Sequence, residues 1–105
     1  MKITLCAHCP GYSVDYLRAL SAAVAESGYS ARVMTAACMQ GCTRSVALSV
    51  RAPGKMAYLF GETGIADVVD IVTFIEMYSA SPDGDLADAR PLGQLRFKAI
   101  ARIPA

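Results

Sequence analysis

Long apolar runs are missing from this sequence, and their absence excludes a membrane-spanning helix. The strongly apolar stretch 68–75 is split by Asp70 and falls far short of the ~20 residues that cross a bilayer. The opening residues, Met-Lys-Ile-Thr-Leu-Cys, hold one basic side chain but no apolar region of the ~7–15 residues a secretory signal needs. A soluble cytoplasmic protein is the expectation. An excess of one charge is missing as well: the formal net charge is +1 and the isoelectric point about 7.7. A nucleic-acid partner is therefore not expected, since such domains usually have an isoelectric point above ~9. Histidine occurs once, as His8, so a Cys–His nucleophile pair has at most one place to form. Glycine-rich phosphate loops of the P-loop or dinucleotide type are absent, and Ser13, Ser45 and Ser49 have no base in view. Asp83-Gly84-Asp85 is too short for a calcium loop and reads as a turn. With no catalytic constellation visible, the chain is not expected to be an enzyme by itself.

What is present is apolar material for one core. Of 105 residues, 54% are hydrophobic and 18% charged, which excludes intrinsic disorder and, at this length, a second independent core. The charges are segregated. Residues 1–60 hold six basic and two acidic side chains, 61–89 seven acidic and none basic, and 90–105 four basic and none acidic. Such polarity can orient a charged protein partner, and it equally describes a solvated acidic helix beside a basic tail.

Along the chain, residues 2–5 alternate as a short strand, with Ile3 and Leu5 set against Lys2 and Thr4. Ser13 is the expected N-cap of a helix that runs to about Ser27, with Val14, Leu17, Leu20, Ser21 and Val24 on one face and Gly28 at the stop. Residues 29–36 read as the second strand. Residues 45–51 and 55–60 read as two more, joined by the hairpin Ala52-Pro53-Gly54. A second helix over 65–78 is expected to face inward with Ile65, Val68, Val69, Val72 and Ile75. The order β-α-β-β-β-α defines an α/β class, a thioredoxin-like sandwich with a mixed central sheet and helices packed on it. The alternative is a ferredoxin-like α+β sandwich. The domain spans residues 1–105, with a core over 1–80 and a linker and tail over 81–105 that packs on the domain or on a second copy.

The chemistry lies in four cysteines, grouped as C-x2-C at Cys6 and Cys9 and C-x3-C at Cys38 and Cys42. Both pairs fall at expected strand ends, and consecutive parallel strands of a βαβ unit deliver those ends to one side of the sheet. Four converging thiolates select Zn²⁺, Cu(I) or an iron–sulfur cluster over hard cations. Zinc would be closed by two cysteine knuckles, and a [2Fe–2S] cluster by two thiolates on each iron. A thioredoxin-type dithiol is the third option, weakened by Pro10 and Gly11 before the helix and by the idle second pair. Around the cysteines, His8 is read as solvent-facing rather than as a ligand. Gly41 lends the backbone freedom to aim amides at sulfur, Met39 shields or packs, and Arg44 offsets cluster charge or docks a partner.

Two resemblances bear on the choice. Ala37-Cys38-Met39-Gln40-Gly41-Cys42, followed by the strand over 45–50, Pro53-Gly54, Tyr58-Leu59-Phe60-Gly61 and an acidic helix, resembles the second half of the thioredoxin-like [2Fe–2S] ferredoxins. This covers about residues 37–78 and implies that Cys38 and Cys42 supply two of four cluster ligands. In the better-known members the first two ligands are spaced more widely than Cys6 and Cys9. Over nearly its whole length the chain is also similar to the DUF1636 family of small predicted metal-binding proteins. That likeness is carried by Cys6, Cys9, Cys38 and Cys42, Ala52-Pro53-Gly54-Lys55, Tyr58-Leu59-Phe60-Gly61, Arg90-Pro91 and Ala101-Arg102-Ile103-Pro104. It implies a thioredoxin-like ferredoxin fold and, for some members, a link to cobalamin biosynthesis.

The resulting expectation is a [2Fe–2S] one-electron carrier held by Cys6, Cys9, Cys38 and Cys42 and serving a larger redox protein. The resembled ferredoxins can be dimeric, so a homodimer belongs to that expectation. The alternatives are a four-cysteine zinc- or cobalt-binding accessory module and a dithiol–disulfide oxidoreductase.

Overall fold

The computed structural model describes residues 1–7, 12–37, 46–86 and 88–104. Strand β1 (Lys2–Cys6) leads to helix α1 (Val14–Ser27) and strand β2 (Arg32–Ala36), then β3 (Leu48–Arg51) and β4 (Ala57–Phe60). A single 3-10 turn (Ile65–Asp67) runs into α2 (Val68–Ala80). A kinked 3-10 segment (Arg90–Lys98) then leads into a further strand, β5 (Ala99–Ile103).

The strands form one mixed sheet in the order β2-β1-β3-β4-β5. β1 and β2 are parallel, as the α1 crossover requires, whereas β3, β4 and β5 each pair antiparallel to their neighbour. The helices pack on each other over one face of this sheet, so the molecule has the α/β, thioredoxin-like architecture expected. The order differs by one element. Residues 81–105, expected as linker and tail, contribute β5 to the sheet and bury Leu92 and Leu95 in the core.

Local signals explain where α1 begins and ends. Ser13 is extended and its Oγ accepts from the Tyr16 amide at 3.1 Å, while Gly28 closes the helix at φ +78, a conformation open to glycine. The buried face of α1 is Tyr16, Leu20 and Val24, with Val14 turned to solvent. In α2 the inward face is Ile71, Phe74, Ile75 and Tyr78. Of the expected set only Ile75 is fully buried, and Ile65 and Val69 are 53% and 76% exposed. The sequence of α2 is apolar on nearly every side, so the larger side chains decide its rotation. Phe74 packs edge-on against Tyr58 and Phe60 at centroid distances of 4.9 and 5.1 Å, and Tyr78 edge-on against Tyr58 at 5.9 Å.

Below the helices, Ile3, Leu5, Leu48, Val50, Tyr58 and Phe60 project into the core from three adjacent strands. Alternation sends Lys2, Thr4, Ser49, Arg51 and Leu59 to the opposite face.

Candidate metal centre

β1 ends at Cys6, which is fully buried and lies in register with Ala36, the last residue of β2. Two backbone bonds hold this corner. The Cys6 amide donates to the Ala47 carbonyl at 3.0 Å, and the Ala7 amide donates to the Ala36 carbonyl at 2.9 Å. The ends of β1 and β2 and the approach to β3 therefore meet at one end of the sheet, as a parallel βαβ unit flanked by an antiparallel strand requires. Val46 is fixed there too, because its carbonyl accepts from both the amide of Thr63 at 3.1 Å and its hydroxyl at 2.7 Å.

Of the four expected ligands, Cys6 is described, and Cys9, Cys38 and Cys42 lie outside the described residues, as do His8, Gly41, Met39 and Arg44. The residues from which they extend are nonetheless fixed. Cys9 follows Cys6 by three residues, Cys38 follows Ala36 by two, and Cys42 precedes Val46 by four. At ~3.5 Å of reach per residue these tethers extend at most about 11, 7 and 14 Å, against a strand spacing of about 4.8 Å. Chain length thus allows all four sulfurs to meet beside Cys6. Among the described residues no group of three His, Cys, Asp or Glu side chains forms a metal site.

Behind this corner stands a polar wall that the sequence did not announce. Tyr16, in the first turn of α1, is buried, and its hydroxyl has no hydrogen-bond partner among the described residues. Burial pushes its pKa up to about 12. Thr63 beside it offsets part of this rise, and the negative charge of Asp67 adds to it. Next along the chain, the Asp67 carboxylate accepts from the Gly64 amide at 2.9 Å and from Lys98 Nζ at 2.8 and 2.9 Å. Lys98 also donates to the Glu62 carbonyl at 2.9 Å, and its own carbonyl accepts from the Gly61 amide at 2.8 Å. No local motif signals these partners, because Thr63 reaches back 17 residues and Lys98 reaches back 31.

The fold defines the class: a small thioredoxin-like α/β protein in which the buried Cys6 closes β1 beside the end of β2. The sequence profile of DUF1636, described as a protein of unknown function, matches residues 6–105, and the chain belongs to that family. No curated protein and no solved structure matches it. Among the described residues no helix is long and apolar enough to cross a membrane.

Proposed function

We propose that this chain holds a [2Fe–2S] cluster on Cys6, Cys9, Cys38 and Cys42 and carries single electrons to a larger redox protein. The observation that supports this is the Cys6–Ala36 register, which starts the tethers of Cys9 and Cys38 from adjacent positions, with the return anchor of Cys42 bonded close by. The donor set fits the group, since four soft thiolates on short tethers suit iron and reject hard cations. When bound, the cluster supplies one-electron chemistry. The chain's own part is to bury the Cys6 sulfur away from water and to fix the strand ends through main-chain bonds. On this reading the chain is an electron carrier that works through its redox partner. Thiols kept available in this way suit the reducing cytoplasm.

The test is an anaerobic absorption spectrum with iron and acid-labile sulfide assays on protein purified without added metal. The reading expects bands at ~400–550 nm that bleach on dithionite, and roughly two iron and two sulfide per chain. Replacing any one cysteine, Cys42→Ser or Cys6→Ser, should remove the chromophore while circular dichroism reports the fold. A colourless protein with about one zinc per chain would overturn the electron-carrier reading and leave a four-cysteine zinc or cobalt module. Disulfide exchange that survives Cys38→Ser would instead identify a dithiol oxidoreductase.

A further inference from the structure

The other end of β1 carries a second feature, about 13 Å from Cys6 at ~3.3 Å per residue and separate from the cysteine corner. Lys2 opens the strand, and its register partners are Arg32 on β2 and Arg51 on β3. Side chains paired across adjacent strands project from the same face, so Arg32, Lys2 and Arg51 form a row about 10 Å long across three strands. All three are exposed, and with Met1, Ala52 and Pro53 they line an open cleft of about 410 Å³. That volume lies within the ~300–1,000 Å³ typical of small-molecule sites.

Like charges set directly opposite one another destabilise a sheet, so such a row calls for a reason. Protection of a sheet edge accounts for Arg32 on the outer strand, but Lys2 and Arg51 belong to β1 and β3, which have strands on both sides. None of the three takes part in an ion pair among the described residues. The pairs there join Arg90 to Asp88, Lys98 to Asp67 and Arg102 to Asp85. The row is thus left without an anion of the chain's own among those residues.

We propose that this cleft binds a small oligoanion, a ligand bearing two or three phosphate or carboxylate groups. Two guanidinium forks flank one ammonium, and each fork can take an oxyanion bidentately while the lysine acts as a point charge. A single phosphate would meet only part of a row about 10 Å long. Successive anionic groups on one ligand meet all of it.

Isothermal titration of the full chain at low salt with tripolyphosphate and with citrate tests this. One saturable site per chain is expected, weakened about fivefold by each of Lys2→Gln, Arg32→Gln and Arg51→Gln and about 100-fold by all three. Arg18→Gln, on the exposed side of α1, removes the same charge elsewhere and should leave binding intact. Tripolyphosphate binding without citrate assigns a phosphate ligand, and the converse assigns a carboxylate. Absence of saturable binding by both probes overturns the proposal, as does equal weakening by Arg18→Gln. Folding is controlled by thermal melts: the oligoanion should raise the parent's Tm by linkage, and a rise that persists in the triple variant also refutes the site.

Discussion

Replacing Lys98 by methionine should be among the most damaging single changes away from the cysteines. The Lys98 ammonium has three donors and three acceptors in reach: both oxygens of Asp67, at 2.8 and 2.9 Å, and the Glu62 carbonyl at 2.9 Å. Asp67 is only 6% exposed and Lys98 25%. Removing the ammonium leaves a nearly buried carboxylate with the Gly64 amide as its remaining partner among these bonds. It also removes the bond to the carbonyl of Glu62, a residue held at φ +56 in the left-handed region. Stripping one partner from a fully buried pair costs about 3–5 kcal/mol, and the partial exposure of Lys98 lets water recover some of this, giving about 2–3 kcal/mol. In a domain of this size that lowers Tm by about 10 °C. Asp67→Asn should cost less, about 1–2 kcal/mol, because the stranded lysine can reach solvent and the amide oxygen still accepts from Gly64. The double variant should fall short of the summed costs by about 1–2 kcal/mol. Urea denaturation with unchanged m-value measures all three. Additivity within about 0.5 kcal/mol, or a greater loss from Asp67→Asn than from Lys98→Met, would refute this account.

Two further tests probe other parts of the core. At Gly84 (φ +78) an added Cβ would lie 2.9 Å from the Tyr78 ring and 3.0 Å from the Met56 amide nitrogen, whereas Gly28, at the same φ, faces open space. Gly84→Ala should therefore cost about 2–4 kcal/mol and Gly28→Ala about 1 kcal/mol, and equal costs in denaturation would sink the steric argument. Alkaline stability should report Tyr16: its proton leaves the unfolded chain near pH 10 but the folded chain only near 12, so stability present below pH 10 is lost as pH rises. The loss reaches about 2 kcal/mol by pH 12, and denaturation at about pH 8 and 11.5 should show it reduced in Tyr16→Phe. An alkaline loss identical in both proteins would contradict it.

Much of the frame was legible because it rests on local rules. Ser13 and Gly28 bracket α1, Ile3 and Leu5 alternate in β1, and the turn at Pro53-Gly54 joins β3 to β4. β5 was not legible. An edge strand is made by main-chain bonds to β4, and its residues are mostly exposed, so Ile100 and Ile103 follow no core-facing pattern. The rotation of α2 was misread for a different reason: periodicity cannot choose a face when valine and isoleucine surround the helix, and the aromatic rings of Phe74 and Tyr78 chose it through partners on β4. At the candidate centre, the meeting of strand ends followed from the βαβ rule. Tyr16, Thr63 and the cation row did not, since long-range register and burial decide them.

The position of β5 also orders the protein's assembly in time. β4 pairs with β3 across a short hairpin, but its other edge is closed by residues 99–103, some 40 positions later. During synthesis the ribosome must deliver nearly the whole described chain before that edge is covered. Until then Ala57–Phe60 presents an open ladder to any neighbouring strand. The nascent chain is thus most vulnerable to intermolecular pairing just before its last described strand docks, and a message truncated in the 3-10 segment would hold it in that state.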